Sequence, residues 1–126
     1  MRLAGFTWSD ASEAEIRGAA KALLALQRAD GGWGNNPNMP SDAYETGNAL
    51  VALAESKAIR VTDIAYQRGI QYLLSTQFPD GSWHVRSRAI KFQPYFESGF
   101  PFGHDQWISA AATAWAAQAI ALSIQR

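Results

Sequence analysis

Few residues in this chain could do chemistry, and they stand in two places. In "SDAYETG", Asp42 and Glu45 lie three positions apart. On a helix that spacing puts both carboxyls on one face, where a close pair can share a proton. In "GHDQW", His104 and Asp105 put an imidazole beside a carboxylate, just ahead of a long apolar run. Each pair also has a structural explanation. Asp42 and Glu45 are residues that a helix start favours, through capping and the helix dipole. His104-Asp105 reads as a turn followed by an N-cap. Asp42, Glu45, His104 and Asp105 are thus the catalytic candidates, with capping as the simpler role. The chain has no cysteine, so disulfides and thiolate chemistry are excluded.

Aromatic side chains form the other concentration. "KFQPYFESGFPFGHDQW" gathers Phe92, Tyr95, Phe96, Phe100, Phe102 and Trp107. These rings close an irregular stretch from His84 to His104, and a loop that long is usually functional or covered by a partner. Two roles fit them: lining or gating an apolar pocket, or covering a core that the helices alone do not close. The second is preferred, because repeat arrays need capping segments. As pocket-lining candidates the sequence offers Tyr44, Tyr95, Phe96, Phe100, Phe102, Trp107 and Trp115. Arg86, Arg88 and Lys91 read as a solvated face of the loop.

The elements that must position these groups are helices. Ser12 and Glu15 form a capping box, followed by a stripe of Ile16, Ala19, Ala20, Leu23, Leu24 and Gln27. Asp30-Gly31-Gly32 stops that helix, and "NNPNMP" prolongs the break. A second helix starts near Asp42, with Glu45 completing another capping box, carries Leu50, Val51, Leu53 and Ala54, and ends around Lys57. Thr62 is positioned to cap a third, whose stripe is Tyr66, Ile70, Leu73, Leu74 and Gln77. The last runs from about Asp105 to Ile124 and is apolar almost all round, so it belongs inside something. Its Ser109, Thr113 and Gln118 and its many alanines make it a poor membrane span.

A duplication organises the chain. "QRADGGW", Gln27 to Trp33, returns as "QFPDGSW", Gln77 to Trp83. The second helices also correspond, with Thr46, Ala49, Ala52 and Leu53 matching Thr113, Ala116, Ala119 and Ile120. One domain of residues 1–126 therefore divides into repeats of about 12–58 and 62–124. The Gln amide suits unpaired backbone groups at a helix end, the Trp can cover the joint, and Asp-Gly is turn chemistry. Gln27, Gly31, Trp33, Gln77, Gly81 and Trp83 are accordingly structural.

"RGIQYLLSTQFPDGSW" resembles the QW repeat of squalene-hopene and oxidosqualene cyclases, through Arg68, Gly69, Tyr72, Leu73, Leu74, Gln77, Gly81 and Trp83. "RGAAKALLALQRADGGW" is a weaker copy, with one extra residue before Gln27 and Ala22 at the aromatic position. The same helix-pair repeat occurs in protein prenyltransferases. The resemblance implies an all-α fold: an arc of an α/α-toroid, two antiparallel helix pairs with a long irregular loop before the last helix. It implies inner helices lining an apolar cavity for isoprenoid chains. It also implies that a two-pair chain is part of a longer toroid or protein, or self-associates through its inner faces. Squalene-hopene cyclases use an Asp-x-Asp-Asp acid, and here no two Asp lie within three positions of each other. The prenyltransferase zinc set would need a cysteine where Tyr44 stands, leaving Asp42 and His104 as two of three ligand types.

No metal and no cofactor are therefore expected. An apolar isoprenoid-type small molecule is the expected ligand, with activity left open for a chain lacking both the acid cluster and the zinc thiolate. The alternative is a non-catalytic helical module for protein interaction or assembly. Eleven basic and eleven acidic residues balance, which leaves no footprint for nucleic acid. No signal or transmembrane segment is expected, peripheral membrane contact stays open, and the sequence does not fix a compartment.

Overall fold

The computed structural model describes residues 12–87 and 99–124. Tyr95 and Phe96, with Phe92, Arg88 and Lys91, lie outside the described residues. Within them are four helices and one two-residue strand pair: α1 (Glu13–Ala25), β1 (Trp33–Gly34), β2 (Ser41–Asp42), α2 (Ala43–Glu55), α3 (Ile64–Thr76) and α4 (Gln106–Ile124), with a 3-10 turn at Gly103–Asp105. The chain is all-α, as the sequence led us to expect.

Local chemistry accounts for most boundaries. Ser12 Oγ accepts from the Glu15 amide at 3.2 Å, and the Glu15 carboxylate accepts from the Ser12 amide. That reciprocal pair satisfies two helix-start donors at the head of α1. Asp42 Oδ1 takes the Glu45 amide at 2.7 Å and so caps α2. The start of α3 differs from expectation. Asp63, not Thr62, is the N-cap, and its carboxylate turns back to accept the Arg60 amide at 2.9 Å. A carboxylate at that position serves the preceding turn, so the helix begins one residue later than a threonine cap would place it.

The strand pair was not foreseen. Trp33 faces Asp42 and Gly34 faces Ser41, antiparallel. It closes the "NNPNMP" break into a loop, which the Arg28 guanidinium braces from inside by donating to the carbonyls of Met39 and Asn36.

The core is built around α2, where Ala49, Leu50, Val51, Ala52 and Leu53 are all buried. Burying each of its leucines is worth about 2–3 kcal/mol. The chief partner of α2 is α4, which turns Gln106, Ser109, Ala112, Ala116 and Ala119 inward. That stripe has helical spacing and consists mostly of small residues, so the two backbones come close. Gly47 marks the closest point: a Cβ there would lie 2.7 Å from the Ala116 nitrogen. From α3, the Tyr66 phenol crosses to donate to the Ala119 carbonyl at 2.7 Å. By length and composition α4 also meets the test for a membrane-crossing helix, at 19 residues and mean hydropathy 1.3.

Candidate functional site

The two Gln-to-Trp segments are built alike. Gln27 Nε2 donates to the Gly31 carbonyl at 2.9 Å, and Gln77 Nε2 to the Gly81 carbonyl at 3.0 Å. Gly31 and Gly81 have φ of 88° and 90°, a left-handed conformation that glycine adopts without strain. Each Trp indole donates to the helix ten residues back, Trp33 to Leu23 and Trp83 to Leu73, both at 2.8 Å. Each Trp amide donates to a threonine of the following helix, Trp33 to Thr46 at 2.9 Å and Trp83 to Thr113 at 3.0 Å. Asp30 and Asp80 accept the amides of Gly32 and Ser82 within their own turns. Hydrogen bonds from the Ser82 hydroxyl and amide hold the Asp80 carboxyl below the usual range. The Gln, Asp and Trp side chains of both turns thus bond mainly to backbone of their own turn or of the helix before it, which is the chemistry of a brace.

Between the segment that leads into α2 and the second turn lies a cleft of about 560 Å³, lined by residues including Met39, Asp42, Tyr72, Phe78, Trp83, His84, Val85 and Arg86. α3 supplies Tyr72, and the chain leaving it supplies Phe78 to Arg86. Burial pushes the Tyr72 phenol up to about 12, with the Asp30 and Asp42 carboxylates adding to the rise and Arg28 opposing it. The phenol is therefore neutral at physiological pH.

Asp105 and His84 meet beside the cleft. Asp105 Oδ2 lies 2.7 Å from His84 Nε2, and its Oδ1 accepts the Ser87 amide at 2.8 Å. The His84 side chain is 40% exposed and that of Asp105 15%. The His84 ring stacks on Phe102 at 4.7 Å, and Phe78 meets Phe102 edge-on at 5.1 Å. Phe102 takes a φ of 84°, a strained value for a residue with a side chain. Its place between two rings compensates that strain.

The sequence candidates separate accordingly. Asp42 lines the cleft, but its Oδ1 caps α2. Tyr44 and Glu45 line a second cavity of about 410 Å³ with Leu23, Trp33 and Asn48. Phe100 sits 6.3 Å from Phe102. Trp107 is 53% exposed, and Trp115 packs against the core where Gly47 meets α4. Asp105 pins Ser87 and His84, so it ties the loop to the head of α4, beyond the N-cap role read from sequence. The 3-10 turn includes His104. Among the described residues no three His, Cys, Asp or Glu side chains converge as a metal site would need.

Tyr72, Phe78, His84 and Arg28 escaped the sequence reading as site residues. For Tyr72 and Phe78 a signal existed, since both sit in the second Gln-to-Trp segment and its helix. His84 had none, because its partner is 21 residues away.

Residues 2–102 match the family model described as the squalene-hopene cyclase C-terminal domain. A squalene–hopene cyclase of Bradyrhizobium diazoefficiens is 36% identical over 97 residues, covering 68% of this chain and 13% of that protein. A lanosterol synthase of Mus musculus is 38% identical over 91 residues, covering 63% of this chain and 12% of that protein. A drimenyl diphosphate synthase of Streptomyces showdoensis is 39% identical over 64 residues, covering 51% and 12%. The chain thus spans 12–13% of the length of these curated relatives. No solved structure matches.

Proposed function

The chain belongs to the squalene-hopene cyclase C-terminal domain family, and on that premise we propose that it is an arc of an α/α-toroid offering an apolar cleft to an isoprenoid-type ligand. The cleft beside α3 and the second turn carries this reading. Its volume of about 560 Å³ falls in the range of small-molecule sites. Met39, Tyr72, Phe78, Trp83 and Val85 give it apolar walls, and aromatic faces are also what a developing cation would need. The relatives named for squalene, hopene, lanosterol and drimenyl diphosphate fit a ligand of that class.

In this reading the described residues do not supply the acid for cyclisation. An alkene is a very weak base, and the carboxyls near the cleft have other duties: Asp42 caps α2, and Asp105 holds His84 and Ser87. The acid of a working cyclase would come from elsewhere in a full toroid. We read α4 as a core helix rather than a membrane span, since its small-residue stripe packs on α2. Peripheral contact with a bilayer suits an apolar ligand, and nucleic acid is not a partner in this reading.

Titration with farnesol, followed by tryptophan fluorescence, tests the proposal. Saturable quenching that is lost in Tyr72→Ala is expected. Linear, non-saturating quenching, equal in both proteins, would refute it. The alternative reading is a non-catalytic repeat module for protein interaction. It is favoured by Leu74 and Phe78, which are 49% and 44% exposed, and it predicts no farnesol binding at all.

A further inference from the structure

The groups that join the first half of this chain to the second recur in each half, and among the described residues their counterparts lack the same partners. Four observations define the internal joint. The Arg68 guanidinium donates to the carbonyls of Arg28 and Ala29, at 2.9 and 3.0 Å. Gln27 Nε2, besides bonding Gly31 in its own turn, donates to the Ala65 carbonyl at 2.8 Å. Gly31 is buried against the Arg68 backbone, which a Cβ would strike. Gly69 rests on Leu50, whose Cδ2 would be 2.7 Å from such a Cβ. α3 is thereby clamped onto the first turn and onto α2.

The sequence duplication carries each of these positions to a counterpart. Arg68-Gly69 corresponds to Arg17-Gly18, and Ala65 to Ala14. Gln27, Arg28, Ala29 and Gly31 correspond to Gln77, Phe78, Pro79 and Gly81, and Leu50 to Ala117. All but Gly81 are exposed, and Gly81 is only half-buried. Among the described residues, Gly18 has no atom within 4 Å of an added Cβ, and Gly81 has only its own turn's Gln77. Among the described residues the Gln77 amide nitrogen reaches only Gly81, whereas Gln27 reaches two carbonyls. Leu24 packs against the core, while its counterpart Leu74 is 49% exposed. One end thus presents donor Arg17 beside open space at Gly18. The other presents the Pro79 carbonyl, the Phe78 carbonyl (which accepts the Gly81 amide, as that of Arg28 accepts the Gly31 amide while also taking Arg68), a Gln77 donor with no second partner among the described residues, and the small Ala117.

We propose that these two ends dock on each other between copies of this chain, head to tail. Arg17 of one copy caps the Phe78 and Pro79 carbonyls of the next, and Gln77 reaches the Ala14 carbonyl. Leu74 becomes covered as Leu24 is. A contact between two different patches leaves a fresh patch on each added copy, so assembly continues until a ring closes or a filament grows. The inference rests on the internal joint and stands independently of the ligand reading.

Two variants of the full chain test it. Arg17→Glu disables the head and leaves the tail; Ala117→Arg disables the tail and leaves the head. Sedimentation velocity over a concentration series should give assemblies larger than a dimer for the wild type and single chains for each variant. An equimolar mixture of the two variants should give a dimer that grows no further, because one good head then meets one good tail. Gly18→Trp is a second head block, placed where the single chain has room, and far-UV circular dichroism verifies folding of each variant. A wild type that stays a single chain throughout would overturn the proposal. So would variants that self-associate as the wild type does, the result expected of a symmetric pairing of faces.

Discussion

At the scale of single residues, the tryptophans of the two turns do structural work. Trp33 and Trp83 are 3% and 2% exposed, and each indole nitrogen donates to a backbone carbonyl. Trp83→Ala should lower unfolding free energy by roughly 3–5 kcal/mol, read from urea titration by circular dichroism. A change well below 1 kcal/mol would mean that the ring is not packed as described. Thr46→Val should cost about 1–3 kcal/mol, because the buried Trp33 amide loses its acceptor. Alkaline pH probes the phenols. Burial pushes Tyr66 and Tyr72 up to about 12 from 10.0. The unfolded chain releases these protons near pH 10, while the folded chain keeps them. Stability should therefore hold below pH 10 and fall between 10 and about 12. Tyr66→Phe should cost about 1 kcal/mol at neutral pH through the lost bond to Ala119, and the variant should show a shallower alkaline decline. Equal slopes in urea midpoint against pH would contradict the assignment.

At the scale of elements, α2 and α4 pack backbone to backbone. An added Cβ at Gly47 would lie 2.7 Å from the Ala116 nitrogen and 2.8 Å from the Trp115 carbonyl carbon. Both are backbone atoms, so the helices must separate. Gly47→Val should cost 1–3 kcal/mol or more, roughly the range for overpacking. Gly18→Ala, in the open interior of α1, should be neutral or gain up to about 1 kcal/mol from helix propensity. Thermal melts of the two variants check the contrast. How far these elements were legible depends on the range of the interaction involved. The Ser12–Glu15 capping box spans three residues and was readable from the chain itself. The correspondence of Thr46 with Thr113 was readable because the chain repeats it, and both hydroxyls receive a Trp amide. At the start of α3, Thr62 and Asp63 are adjacent residues that can both cap, and periodicity does not choose between them. The Arg28 brace, the Arg68 clamp and the His84–Asp105 pair depend on segments brought together by tertiary packing. No local spacing announces them. The cleft was illegible for the same reason, since its walls come from the 39–43 segment and from α3 with the chain that follows it, more than 25 residues apart.

At the scale of the whole molecule, a family of terpenoid cyclases supplies the frame, and this chain holds a small part of it. Two proposals concern what the part does: a cleft offered to an isoprenoid chain, and two ends that dock on each other. The ends concern assembly and the cleft concerns the ligand, so each can fail without the other. The ligand reading is the central claim, and native mass spectrometry of the purified protein tests it most directly. The account expects an isoprenoid-type lipid bound at one per chain, either carried through purification or taken up from added farnesol, and lost in Tyr72→Ala at unchanged helix content. A bare polypeptide mass that stays bare after farnesol is added would contradict it.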